Sequence, residues 1–141
     1  MAKSRPLKSL PILRALDANC NRVREGLRVA EDVARFILND STLLNRLKKM
    51  RHEVTTAEKS LFKSGALRGL ARDVEKDLGR GTPEKREKVR GDPQELLKAN
   101  LKRCQEGLRS LEEFSKLIRH PASSRFKRLR YECYRLEEWR L

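Results

Sequence analysis

The sequence predicts an all-α protein, a four-helix bundle built from two similar helical hairpins joined by a long central connection. Its 141 residues are 38% hydrophobic, 38% charged and only 5% aromatic, a composition typical of helices. Apolar residues recur at steps of three and four, which is the period of an amphipathic helix. A segment of the first half also returns in the second, as NCNRVREGLRVAED (residues 19–32) and NLKRCQEGLRSLEE (residues 100–113).

The first hairpin is predicted from two apolar stripes. A helix is expected over about 12–38, and Asn39, Asp40 and Ser41 end it and offer N-caps to the next one. The second helix carries apolar positions from Leu44 to Leu61. Residues 64–91 then hold five glycines and a proline, which predicts a long connection with one short helix. Whether this connection is a mobile lid is left undecided.

The second hairpin begins at Asp92, with Pro93 in the first turn and Glu95 three residues after the cap. This third helix is expected to reach about Ile118, and a fourth is expected over about 124–139. RLKKMRHE (residues 46–53) resembles RFKRLRYE (residues 125–132), so the whole hairpin is duplicated. Residues 1–10 are predicted to be a flexible lead-in and 11–141 a single helical domain.

The charge balance indicates anionic partners. The formal net charge is +14, from 34 Lys and Arg against 20 Asp and Glu, which suits nucleic acid, an acidic membrane surface or small phosphorylated ligands. No secretory segment and no apolar run of about 18 residues is visible, so we expect a cytoplasmic protein without a membrane partner. The three cysteines lack metal-site spacing and are expected to be reduced and buried.

The repeated motif places polar groups beside the apolar stripe. Asn19, Arg22 and Gly26 share one flank of the first helix, and Asn100, Arg103 and Gly107 share that of the third. A glycine inside a helix costs about 1 kcal/mol relative to alanine, so we expect something to approach both glycines closely. A second helix and a flat or anionic ligand are equally good candidates. Glu31 can also form local ion pairs with Arg28 and Arg35, as on any solvated helix face.

Further duplicated residues suggest a phosphate pocket. Arg51 with His52, and Arg130 with Tyr131, recur in the two hairpins, and arginine forks match phosphate oxygens. We therefore expect arginines from both halves to converge on one cleft. In the connection, Asp73 and Asp77 are four residues apart and could hold Mg²⁺ with its waters. That loop pattern is weak by itself, and a solvated loop is the alternative.

Taken in order, these motifs resemble a known family. They are D-x-N-x-N-R-x-R-E-G-L-R-x-x-E-D (17–32), R-H (51–52), A-R-D-x-x-x-D-x-G (71–79), A-N-x-K-R-x-Q-E-G-L-R-x-L-E-E (99–113) and L-R-Y-x-x-Y (129–134). The chain resembles the hydroxymethylpyrimidine-phosphate kinases of thiamine biosynthesis, a small domain found alone or fused to the N-terminus of thiamine-phosphate synthase. The resemblance implies transfer of the ATP γ-phosphoryl group to 4-amino-5-hydroxymethyl-2-methylpyrimidine phosphate, with ATP and Mg²⁺ as cofactors.

The resemblance and the residue pattern together suggest roles for individual side chains. The expected catalytic residues are Asp73, Arg72, Arg28 and Arg109. The expected substrate-binding residues are Asp17, Asn19, Asn21, Arg22, Arg51, His52, Asn100, Arg103, Arg130 and Tyr131. The expected metal ligands are Asp73, Asp77, Glu31 and Glu112.

Two other functions compete with the kinase. One is a basic helical module that binds nucleic acid, although glutamates interleaved with the arginines argue against it. The other is a regulatory ligand-binding domain of thiamine-phosphate synthase. A homodimer and an association with thiamine-phosphate synthase are both left open.

Overall fold

The computed structural model describes residues 10–62 and 89–139. In these ranges it contains four α-helices and no strand: α1 (Leu10–Asp32), α2 (Ser41–Leu61), α3 (Pro93–Leu117) and α4 (Ala122–Glu137). α1 and α2 form one hairpin and α3 and α4 the other, which confirms the predicted all-α bundle. Residues 63–88, most of the predicted connection, and the predicted lead-in up to residue 9 lie outside the described residues. The domain limits therefore stay a prediction.

Two helix boundaries differ from expectation. A π-helical turn (Val33–Ile37) extends α1, and the Asp40 amide donates to the Ala34 carbonyl at 2.9 Å. α4 covers 122–137, two residues earlier at each end than expected. It can begin early because His120 Nδ1 accepts a hydrogen bond from the Ala122 amide at 3.0 Å. The same ring lies 3.1 Å from the Ser60 carbonyl through Nε2, so it also links the two hairpins.

Aspartate N-caps begin α2 and α3, as the sequence predicts. Asp40 Oδ1 accepts from the Leu43 amide at 3.0 Å, and Asp92 Oδ1 accepts from the Glu95 amide at 2.8 Å. Asp40 also accepts a hydrogen bond from Trp139 Nε1 at 2.8 Å. The hydrogen bond from the Leu43 amide, and then the one from Trp139, lower the pKa of Asp40 below its ordinary value of 3.8.

The Asp40 cap is expected to make stability depend on pH. Because the folded pKa lies below the unfolded one, the charge stabilises the fold fully above about pH 4. That stabilisation is lost as the pH falls through the folded value. Asp40→Ala should therefore lower the melting temperature at pH 7, and its difference from the native chain should shrink towards pH 2. Asp40→Asn, which keeps a capping oxygen but not the charge, serves as the control in thermal unfolding followed by circular dichroism. A difference between Ala and native chains that grows on acidification would contradict this account.

The core takes buried residues from all four helices, and α1 and α3 approach each other closely at their two glycines. A Cβ built on Gly26 would lie 2.7 Å from Cys104 Sγ and 3.0 Å from the Asn100 carbonyl oxygen. A Cβ on Gly107 would lie 2.7 Å from Val23 Cγ2 and 3.6 Å from the Asn19 carbonyl oxygen. The group that approaches each glycine is therefore the other helix, and the helix-packing alternative is confirmed.

These contacts also establish a pseudo-twofold axis through the α1–α3 crossing. Each glycine packs on the residues equivalent to those that pack on the other, and α1 and α3 run antiparallel. The hairpin turns are equivalent too, because Asn39 and Arg119 both adopt a left-handed backbone conformation, with φ of 51° and 52°. Cys20, Cys104 and Cys133 are buried and unoxidised, as predicted. Hydrogen bonding with Cys104 and burial raise the pKa of the Cys133 thiol.

Candidate functional site

Arg51 forms a buried bidentate ion pair that joins α2 to α1. Its Nε donates to Glu31 Oε2 at 2.7 Å and its terminal nitrogen to Glu31 Oε1 at 3.1 Å. Glu31 is only 4% exposed, and its hydrogen bond to Arg51 raises the pKa of the guanidinium. The local pairing of Glu31 with Arg28 or Arg35 that the sequence suggested is replaced by this contact between helices.

Arg130 forms the equivalent contact in the second hairpin. It donates to Glu112 Oε2 at 3.1 Å and to the Tyr134 hydroxyl at 3.0 Å. The hydrogen bond to the Tyr134 hydroxyl, and then the one to Glu112, raise the pKa of Arg130. Arg109 and Lys116 also approach Glu112, at 3.5 Å and 3.9 Å. Arg51 and Arg130 thus lie in separate ion pairs, one in each hairpin, and the structure does not bring them to one shared cleft.

The arginines of the repeated motif also stay apart. Arg22, Arg28, Arg103 and Arg109 are exposed along α1 and α3. Arg22 lies 3.5 Å from Asn19 Oδ1, and Arg103 lies 3.9 Å from Glu25.

The amides and carboxylates predicted to bind substrate are mostly engaged within their own helices. Asn19 and Asn100 each donate to the carbonyl four residues earlier, at 2.8 Å and 2.9 Å. Asn21 accepts from Arg24, and Asp17 is buried. His52 and Tyr131 are exposed. Substrate-binding roles for these residues stay predictions.

The predicted metal site divides between described and undescribed residues. Glu31 and Glu112 face arginines, and no group of three His, Cys, Asp or Glu in the described ranges could hold a metal ion. Asp73, Asp77 and Arg72 lie outside the described residues. A metal site, ATP and Mg²⁺ therefore stay untested predictions.

A basic groove lies between α2 and α4, on the side where these helices pack loosely. A first cleft of about 520 Å³ opens between them, and a second of about 370 Å³ adjoins it. Both are lined by Lys49, Glu53 and Arg128. The first is also lined by Arg46, Met50, Lys127, Leu129, Tyr131, Glu132 and Arg135. The second is also lined by His52, Thr56 and Arg125. We call the two clefts together the α2–α4 groove.

The groove follows the pseudo-twofold axis, because all its lining residues except Lys127 come in equivalent pairs 79 positions apart. Met50 corresponds to Leu129 on the floor, and Lys49 corresponds to Arg128 on the walls. The other pairs are Arg46 with Arg125, His52 with Tyr131, Glu53 with Glu132 and Thr56 with Arg135. Rotation about the axis places the residues that line the second cleft on residues that line the first.

Some charged side chains of the groove form ion pairs with one another. Arg46 donates to Glu132 through Nε at 3.1 Å and lies over the Trp139 ring at 5.1 Å. Arg135 donates to Glu132 at 3.0 Å. Burial raises the pKa of Glu132, but the hydrogen bonds from Arg46 and Arg135 outweigh it, so the pKa lies below its usual value.

Several cations of the groove have no such partner. Among residues 10–62 and 89–139, no ion pair is formed by Lys49, Arg125, Lys127 or Arg128. The groove therefore holds free cationic donors beside an apolar floor, which is the arrangement that binds a small anion carrying a ring.

Sequence reasoning overlooked Lys49 and Arg128, although they lie in the duplicated segments of α2 and α4. The predicted residues Arg51 and Arg130 lie two positions later and pair with the buried Glu31 and Glu112. The available signal was the spacing of Arg46 and Lys49, and of Arg125 and Arg128, three residues apart along one flank of the apolar stripe. None of the helices in the described ranges has an apolar stretch long enough to cross a membrane.

Comparison with known proteins gives the family. The model of the ThiD2 family matches residues 14–139. This chain belongs to the ThiD2 family. The match covers α1 from residue 14, the other three helices and both copies of the repeated motif, so the resemblance that the motifs indicated extends over nearly the whole ThiD2 chain. No solved structure matches it significantly.

Curated relatives carry the ThiD2 region inside longer chains. The chain is similar to thiamine-phosphate synthase of Rhodopirellula baltica, with 40% identity over 127 residues, which are 90% of this chain and 33% of the relative. It is also similar to thiamine-phosphate synthase of Synechocystis sp., with 41% identity over 126 residues, which are 89% of this chain and 35% of the relative. This ThiD2 chain thus spans about a third of the length of the relatives it matches.

These comparisons correct the expected activity. The resemblance implied a kinase for hydroxymethylpyrimidine phosphate, and that assignment is wrong, because the matched relatives are named thiamine-phosphate synthase. The link of the ThiD2 region to thiamine biosynthesis is confirmed.

Proposed function

We propose that this ThiD2 chain serves thiamine-phosphate synthesis by binding a phosphorylated thiamine compound in the α2–α4 groove. The observation that carries the proposal is the set of four cationic side chains without an ion-pair partner in the described ranges, Lys49, Arg125, Lys127 and Arg128. A first cleft of about 520 Å³ is within the usual size of small-molecule sites. The names of the relatives supply the class of compound.

The groove offers both kinds of contact that such a compound needs. Lys49 and Arg128 stand on opposite walls and can donate charge-assisted hydrogen bonds to one phosphate group. Met50 and Leu129, 3% and 4% exposed, form an apolar floor against which a flat ring can lie. Glu53 has no ion-pair partner in the described ranges, and its carboxylate can offset the positive charge of the thiamine ring.

Thiamine phosphate, thiamine and inorganic phosphate are the probes that test this function by isothermal titration calorimetry. The chain is expected to bind thiamine phosphate, and thiamine at least tenfold more weakly, because a charge-assisted contact contributes about 1.5–3 kcal/mol. Lys49→Ala should weaken the binding of thiamine phosphate about tenfold. Lys48→Ala is the matched control, since Lys48 is the neighbouring exposed lysine outside the groove lining. Equal binding of thiamine and its phosphate, or no binding of either, would rule the function out.

Association with the remainder of a thiamine-phosphate synthase belongs to the same proposal. In the relatives this region makes up about a third of one polypeptide, and other sequence makes up the remaining two thirds. A complex with a thiamine-phosphate synthase would place the groove near the reaction that the relatives' name states. The occupied groove would then hold a phosphorylated compound within reach of that reaction.

A further inference from the structure

The pseudo-twofold axis allows each side of the α2–α4 groove to be compared with its own copy. Rotation about the axis exchanges Arg125 with Arg46 and Glu53 with Glu132. In the first cleft Glu132 accepts hydrogen bonds from Arg46 and Arg135. In the second cleft, no ion pair joins the equivalent Arg125 and Glu53 or either to another described residue. Arg46 and Arg135, which line only the first cleft, are therefore engaged by Glu132, whereas Arg125, which lines only the second, forms no ion pair in the described ranges.

The apolar side chains lie in the first cleft, where Arg46 and Arg135 are engaged. Met50, Leu129 and Tyr131 line the first cleft and not the second. The second cleft is lined by Lys49, His52, Glu53, Thr56, Arg125 and Arg128. Arg125 and Arg128 there present two guanidinium forks, and a fork matches two phosphate oxygens at once. The first cleft suits an aromatic ring, and the second suits a phosphate.

We propose that the second cleft is the phosphate subsite of the groove, and that Glu132 restricts the groove to a single phosphate by occupying Arg46 and Arg135. This inference rests on the proposed function, because it concerns the same groove. Glu132 acts here as a specificity-determining residue: it contacts no ligand, and it withholds the guanidinium donors of Arg46 and Arg135 from anions. The ligand then lies across the axis, with its ring over Met50 and Leu129 and its phosphate between Arg125 and Arg128.

Pseudo-equivalent residues provide matched variants. Inorganic phosphate is the probe, titrated at low ionic strength into isotope-labelled chain and followed by NMR shifts of the arginine side chains. Arg125→Gln should weaken phosphate binding about tenfold, since it removes a charged donor. Arg46→Gln should change the affinity less than threefold, because the donors of Arg46 are already occupied. Arg46→Gln is preferred to alanine because it keeps a hydrogen-bond donor towards Glu132, and its melting temperature reports whether it folds.

The carboxylates give the second half of the test. Glu132→Gln should free Arg46 and Arg135 and raise the stoichiometry from one to two phosphates per chain. Glu53→Gln, its pseudo-equivalent control, should tighten the existing site and leave the stoichiometry at one. If Arg125 and Arg46 variants lose affinity equally, or Glu132→Gln still binds one phosphate, the subsite assignment is overturned and the proposed function stands. If the native chain binds neither phosphate nor thiamine phosphate, the proposed function itself fails.

Discussion

Replacing Arg51 with alanine is expected to lower the free energy of unfolding by about 3 kcal/mol, the lower end of the range for breaking a buried ion pair. The change leaves Glu31, only 4% exposed, as a buried carboxylate. In the described ranges Arg51 is the ion-pair partner of Glu31, so no neighbouring cation takes its place. Equilibrium unfolding in urea, read as the midpoint and slope of the transition, measures the loss.

Arg130→Ala is the matched control, because it removes the pseudo-equivalent arginine. Its loss should be about half as large, since Glu112 keeps Arg109 and Lys116 nearby and partly exposed pairs each contribute about 0.2–1 kcal/mol. Arg109 and Lys116 lie 3.5 Å and 3.9 Å from Glu112. Losses of equal size in both variants would show that these additional cations do not compensate.

Gly26→Ala is the second change with a large expected effect, a loss of about 2 kcal/mol in the free energy of unfolding, within the range for overpacked cores. Alanine would gain about 1 kcal/mol from helix propensity, but its methyl group would lie 3.0 Å from the Asn100 carbonyl oxygen and 2.7 Å from Cys104 Sγ. The carbonyl belongs to the backbone of α3 and can move only if the two helices separate. Urea unfolding measures this loss too.

Gly107→Ala tests whether the backbone contact is the cause. There the nearest backbone atom, the Asn19 carbonyl oxygen, is 3.6 Å away, and the close contact at 2.7 Å is with a methyl group of Val23. The loss should therefore be smaller than at Gly26, and Val23→Ala in the same chain should recover part of the contact strain. A Gly26→Ala chain as stable as the native one would show that the helix crossing tolerates a methyl group.

Much of the fold could be read from the sequence because its signals are local. The capping residues Asp40 and Asp92 act within three residues of themselves, and apolar periodicity is a property of one helix. The repeat also made the pseudo-twofold architecture visible, because Gly26 and Gly107 recur at the same place in each copy. Only the structure identifies the groups that approach those glycines, since the approaching atoms belong to the other hairpin.

The site could be predicted far less well, because it depends on distances between helices. The sequence places Glu31 near Arg28 and Arg35, whereas its partner Arg51 comes from the next helix. The α2–α4 groove likewise depends on the separation of two helices from different hairpins, and no local sequence pattern states that separation. The predicted residues Asp73 and Asp77 remain predictions, since they lie outside the described part of the chain.

The antiparallel crossing of α1 and α3 has a consequence for the origin of this protein. Two identical copies of a single hairpin, joined about a true symmetry axis, would place each glycine against its partner in the same way, as isologous dimers do. The chain thus has the geometry expected of a homodimer whose two subunits have become one polypeptide. Because the two copies are parts of one chain, they can differ in sequence and contacts: Arg46 is held by Glu132, whereas the equivalent Arg125 is exposed.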